Sequence, residues 1–144
     1  MLVLEALLDR EELPGGLEVG ELAAEVARVA RRSPVLASEL RHELDDRAAL
    51  EQLLVRNPIA AWAAGKGTGG VPHFTFENGR FATRFDAATP EEREGLQQLV
   101  RELVDWRLAE YLDRRRPDSG GDAFRCKVSH ASGRTALSPR ARRP

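Results

Sequence analysis

The sequence predicts an α+β fold, mainly α with one β-hairpin: a winged-helix-like helical domain followed by a long C-terminal helix. Three observations predict it. Apolar residues recur at helical spacing through the N-terminal half. Two alternating aromatic runs meet at Asn78-Gly79, where both residues tolerate the positive φ of a tight hairpin turn. Thr89-Pro90-Glu91-Glu92 is a capping box with proline at the first helical position. The chain has 144 residues and is 42% apolar, enough for one domain with a real core. That domain is expected over residues 1–116, with a loop, a short strand and a basic tail over 117–144.

Each element follows from a local pattern. Leu2 to Glu12 has apolar residues at 2, 3, 4, 6, 7 and 8 and reads as a short buried helix. Pro14-Gly15-Gly16 ends it, because proline lacks the ladder donor. A second helix is expected over 17–32, with Leu22, Val26, Val29 and Ala30 inward. Ser33-Pro34 stops it and opens helix 34–45, whose Leu36, Leu40 and Leu44 make one stripe. A further helix points Leu50, Leu53 and Leu54 inward, and Asn57-Pro58 repeats the cap-plus-proline device before a turn of helix that ends at Gly65.

Over the hairpin 73–85, a two-residue turn sets Phe76 opposite Phe81 and Phe74 opposite Thr83. Phe74, Phe76, Phe81, Thr83 and Phe85 then share the core face. His73, Thr75, Glu77, Arg80, Ala82 and Arg84 share the other. The helix over 90–115 carries a broad stripe of Leu96, Leu99, Val100, Leu103, Val104, Leu108, Tyr111 and Leu112, with Trp106 at its margin. Arg114, Arg115 and Arg116 suit the negative end of its dipole. Phe124 to Val128 alternates as a strand would, and ALSPRARRP is expected to be disordered.

The net charge of −1 hides a gradient: residues 1–50 hold eleven acids and six bases, residues 101–144 six acids and eleven bases. The basic end is the better match for a polyanion. Arginine supplies nearly all the positive charge, since Lys66 and Lys127 are the only lysines. A single cysteine, Cys126, excludes an internal disulfide. No apolar run is long enough for a membrane span, and acids stand where a secretory signal would be basic. A cytoplasmic location is the expectation.

AWAAGKGTGG, residues 61–70, resembles a phosphate-cradling loop at first sight. A P-loop needs Gly, four residues, then Gly-Lys-Ser/Thr after a buried strand. Here Gly67 follows Lys66, position 60 is alanine, and the stretch lies between a helix and a hairpin. It reads as a joint, or as a place where backbone N–H groups and Lys66 meet a nucleic-acid phosphate. His42-Glu43 lacks the second histidine of a zinc-protease helix, because position 46 is Asp46. Cys126 and His130 are only two ligands, with His73 far away. No local motif assembles a nucleophilic triad. No catalytic centre, metal or cofactor is expected.

Helices followed by an aromatic-backed hairpin suit a domain whose hairpin wing touches nucleic acid. The expected contacts are Arg80, Arg84 and His73 on the wing, with Lys66 and Thr68 near them in the chain. The alternative for Arg80 is an ion pair with Glu77 across the turn, and for Arg84 simple solvation. Helix 34–45 is a poor reader, with Glu39, Glu43, Asp45 and Asp46 against Arg41. The arginines of the helix before it are better placed. Trp106 offers a different contact, anchoring a protein partner or a second copy.

Four stretches together, RRSPVLASELRHELDD, LLVRNPIAAWAAGKGTGGVPHFTFENGRF, LVRELVDWRLAEYLDRR and FRCKVSHASGR, resemble the C-terminal accessory region of large bacterial superfamily II DEAD/DEAH-box helicases, over most of residues 1–134. The resemblance implies a non-catalytic nucleic-acid-binding or motor-docking module, with DNA or RNA, or the helicase motor domains, as partners. The motor lies elsewhere in that family, and this chain has neither a Walker A lysine motif nor a DEAD box. In the family a further apolar strand follows the match to FRCKVSHASGR, whereas TALSPRARRP stands here. A chain shortened at both ends, a remnant without independent function, is therefore one expectation. A protein–protein or dimerisation module using the helix over 90–115 is another.

Overall fold

The computed structural model describes residues 1–115. The expected loop after Pro117, the strand at Phe124–Val128, the basic tail and Arg116 lie outside the described residues. The elements run α1 (Leu2–Asp9), β1 (Gly16–Glu18), α2 (Val19–Ala30), α3 (Pro34–Glu39), α4 (Arg41–Leu44), α5 (Arg47–Leu54), α6 (Ala60–Ala63), β2 (Phe74–Glu77), β3 (Arg80–Thr83) and α7 (Pro90–Arg115). The fold is mostly helical, with a small antiparallel sheet and a long C-terminal helix, as its class predicts.

The hairpin has the expected register: Phe76 pairs with Phe81 and Phe74 with Thr83. A third strand joins it, giving the order β1-β3-β2. The expectation of a lone hairpin, with a helix starting at residue 17, is therefore corrected. β1 is three residues long, too short for a period-two pattern to show. It is held by what it meets: Leu17 lies opposite Phe81 and Gly16 opposite Ala82. The Thr83 amide also donates to the Gly15 carbonyl at 2.7 Å.

One core joins the sheet to the helices. Val3, Leu7, Leu8, Leu13, Leu22, Val26, Leu50, Ile59, Phe81 and Val104 are all fully buried, and burial of each large side chain is worth about 1.5–3 kcal/mol. Phe81 stacks on Phe74 with ring centroids 5.0 Å apart, and Trp62 leans on both at 5.4 Å and 6.1 Å. Phe85, expected in that core, only abuts the edge of Phe74 and is exposed.

Two helices depart from expectation. Helix 34–45 is broken at Leu40 (φ −98°, ψ 15°) into α3 and α4. Acids at its C-terminal end oppose the dipole, and an Arg31 guanidinium, 2.6 Å from the Leu44 carbonyl, holds that end. Leu36 is buried, while Leu40 and Leu44 are only half-buried. In α7 the broad stripe splits: Val104 is buried and Val100 and Leu108 pack against the core, but Leu99 and Leu103 face outward. The cap at Thr89 forms as predicted, accepting from the Glu92 amide at 3.2 Å, whereas the Ser33 side chain, expected to cap α3, makes no cap hydrogen bond. Asp46 caps α5 instead, accepting from the Ala49 amide at 3.1 Å. The Glu92 carboxylate accepts from Ala88 at 2.8 Å instead of from Thr89. Asn57 is extended (φ −165°, ψ 118°), so the chain breaks there before α6 as expected, but α6 starts after Ile59 with no side-chain cap, so the expected Asn57 cap does not form.

Charge ties α1, α2 and α7 together. Asp9 receives Arg28 at 2.7 Å, Arg32 at 3.4 Å and Arg101 at 3.8 Å, and Arg28 also holds Glu25. Beside this group the Glu5 Oε2 is buried without a hydrogen-bond partner among the described residues. Desolvation, then the nearby charges of Asp9 and Asp105, raise the Glu5 carboxyl above its ordinary pKa. A raised folded-state value means that the stability Glu5 contributes is fully present below its unfolded pKa and is lost as pH rises through the folded one. Glu5→Gln is therefore expected to raise the denaturation midpoint at pH 7, with the gain shrinking to nothing in acid. Thermal melts of both proteins across pH 4–8 check this, and a gain that persists unchanged at the acid end contradicts it.

Candidate nucleic-acid interface

The glycine stretch is a compact turn that swings the chain from α6 into β2. Gly65 has φ +69°, and a Cβ there would lie 2.8 Å from the Gly70 carbonyl carbon. Only glycine allows both the left-handed backbone and that approach. The Thr68 hydroxyl lies 3.0 Å from the Gly65 carbonyl and also reaches Val71. Thr68 is thus occupied in closing the turn. Lys66 projects from it, exposed.

The fold brings this turn against the start of β2. Lys66, Thr68 and His73 line one open cleft of about 200 Å³ together with the apolar Leu4, Trp62 and Phe74. The Arg84 amide donates to the His73 carbonyl at 2.8 Å, which sets Arg84 beside His73 at the open end of the hairpin. Neither Lys66 nor Arg84 has a carboxylate partner among the described residues. Three of the five residues expected at the interface, Lys66, Thr68 and His73, therefore share one cleft, and Arg84 is joined to them through its backbone bond to His73.

Arg80 is not with them. Its guanidinium reaches across the sheet to the Gly16 carbonyl at 2.6 Å and lies 3.9 Å from Glu18. The expected pair with Glu77 is replaced by this contact with β1, a strand that the sequence did not reveal. The arginines in and just after α2 are committed too: Arg28 and Arg32 to Asp9, and Arg31 to Leu44 and Asp45. Trp106 lies on α7, 58% exposed, with the Arg107 guanidinium over its ring at 4.8 Å.

Sequence reading missed the apolar part of the cleft. Trp62 and Phe74 flank the glycine stretch in the chain, so their closeness had a local signal. A second, apolar groove of about 400 Å³ lies between α3 and α7, lined by Met1, Leu36, Leu40, Leu108 and Tyr111. Its rim carboxylate, Glu39, is held by Tyr111 and Arg115. Among the described residues there is no cluster of three or more histidine, cysteine or acidic side chains placed to hold a metal. No helix among them is long and apolar enough to cross a membrane. Comparison with protein-family models, curated proteins and solved structures finds no match to this chain.

Proposed function

We propose that the chain is a non-catalytic nucleic-acid-binding module that meets phosphates through Lys66, His73 and Arg84. One observation carries the reading. Arg28, Arg31, Arg32 and Arg101 are held by carboxylates or carbonyls, whereas neither Lys66, in the cleft, nor Arg84, joined to His73 through its backbone, has an acid partner among the described residues. Cations left free at the mouth of a hairpin are available to displace the counterions of a phosphate backbone. The element order helix, strand, helices, hairpin supports a winged-helix-like use of that hairpin. The resemblance to helicase accessory regions gives the module a role beside a motor carried elsewhere.

The test is fluorescence anisotropy of labelled DNA and RNA, titrated with the protein at several salt concentrations. Binding is expected to weaken steeply with salt. Lys66→Ala/Arg84→Ala is expected to weaken it about tenfold and to flatten the logarithmic salt slope by about two units, one per lost phosphate contact. Arg80→Ala should leave affinity near the parent value. No binding at low salt, or equal binding by the double variant, refutes the proposal.

A further inference from the structure

The helix α7 carries two apolar stripes, and its own domain uses one. Val100, Val104 and Leu108, four residues apart, pack against the core. Leu99, Leu103 and Trp106 form the second stripe and are 65%, 44% and 58% exposed. Their spacing of four then three is that of successive d, a and d positions in a heptad, with the half-buried Leu96 at the preceding a position. Such a seam runs about 15 Å along the helix.

The charges beside this seam are complementary to those of a second copy of the same helix. Glu102 and Arg107 take the flanking g and e positions, both exposed. Glu102 accepts only a Gln98 amide, at 3.3 Å, and has no cation among the described residues. Arg107 already leans over Trp106. In a parallel pair of helices, g faces the partner's e five residues on, so Glu102 would meet Arg107 of a second copy, twice by symmetry. In an antiparallel pair, Glu102 would face Glu102. Beyond Trp106 the seam meets Glu110, which Arg114 holds within the chain, so that Arg107, 3.1 Å from Glu110 in the single chain, can turn to Glu102 of a second copy.

We propose that the Leu99-Leu103-Trp106 face pairs in parallel with the same face of a second copy of this chain. The inference does not depend on nucleic-acid binding. A three-turn seam is short, so the dimer forms in a concentration-dependent way.

Sedimentation equilibrium of the full chain over a range of concentrations tests it. The expected result is a monomer–dimer equilibrium that Leu103→Glu abolishes while the helical circular dichroism stays unchanged. Glu102→Arg and Arg107→Glu should each weaken the dimer about tenfold by turning both cross-pairs repulsive, and the double swap should restore it. In a Cys126→Ser background, Leu99→Cys should form a disulfide-linked dimer on oxidation. A monomer at every concentration, a dimer indifferent to Leu103→Glu, or a double swap that fails to restore pairing each overturns the proposal.

Discussion

Phe81→Ala is expected to destabilise the fold by about 3–5 kcal/mol. Phe81 is fully buried and stands where three parts of the molecule meet. It pairs with Leu17 of β1 on one side and Phe76 of β2 on the other. Its ring stacks on Phe74 and touches Trp62 of α6. Truncation leaves a cavity bordered by both neighbouring strands and a helix, and a site fixed from so many sides collapses poorly. Phe85→Ala is the control: Phe85 meets Phe74 only edge-on and is 39% exposed, so its loss should be well below that of Phe81. Urea denaturation of the two variants checks the contrast, and equal losses would place the hairpin's anchor elsewhere. The effect extends to the cleft of Lys66 and His73, which the same aromatic group lines.

Gly16→Val is expected to detach β1, with a loss of about 3 kcal/mol, the upper end for overpacking. Gly16 lies opposite Ala82, and a Cβ there would overlap the Phe81 carbonyl oxygen and fall 2.5 Å from the Ala82 Cβ. The nearest atoms are backbone or the first side-chain carbon, so no rotamer relieves the clash. With β1 displaced, Arg80 loses the Gly16 carbonyl and Thr83 the Gly15 carbonyl. Gly95→Ala gives the opposite sign. That glycine is in α7 with no atom within 4 Å of an added Cβ, and alanine there is expected to stabilise by about 0.5–1 kcal/mol. Comparing both melting temperatures with the parent tests the pair. A stable Gly16→Val would show that β1 can leave the sheet without harm.

Local chemistry determined much of this protein directly. The helix start at Thr89, the hairpin register across Asn78-Gly79 and the exit at Gly65 are decided within a few residues by caps and turn geometry. They were legible because their physical causes lie inside the same short stretch of chain. The closeness of Lys66, Thr68 and His73 was partly legible, since one tight turn separates them. Three things were decided only by tertiary structure. β1 exists because a distant strand offers it hydrogen bonds and a place for Leu17. The arginines divide into committed and free according to carboxylates that lie far away in the chain: Arg80 finds β1, and Arg28, Arg32 and Arg101 converge on Asp9 from two helices. The stripe of α7 is broad in sequence, but the domain can cover only one side of a helix. Hydrophobic periodicity states which residues avoid water; which of them find a partner depends on the shape of everything else.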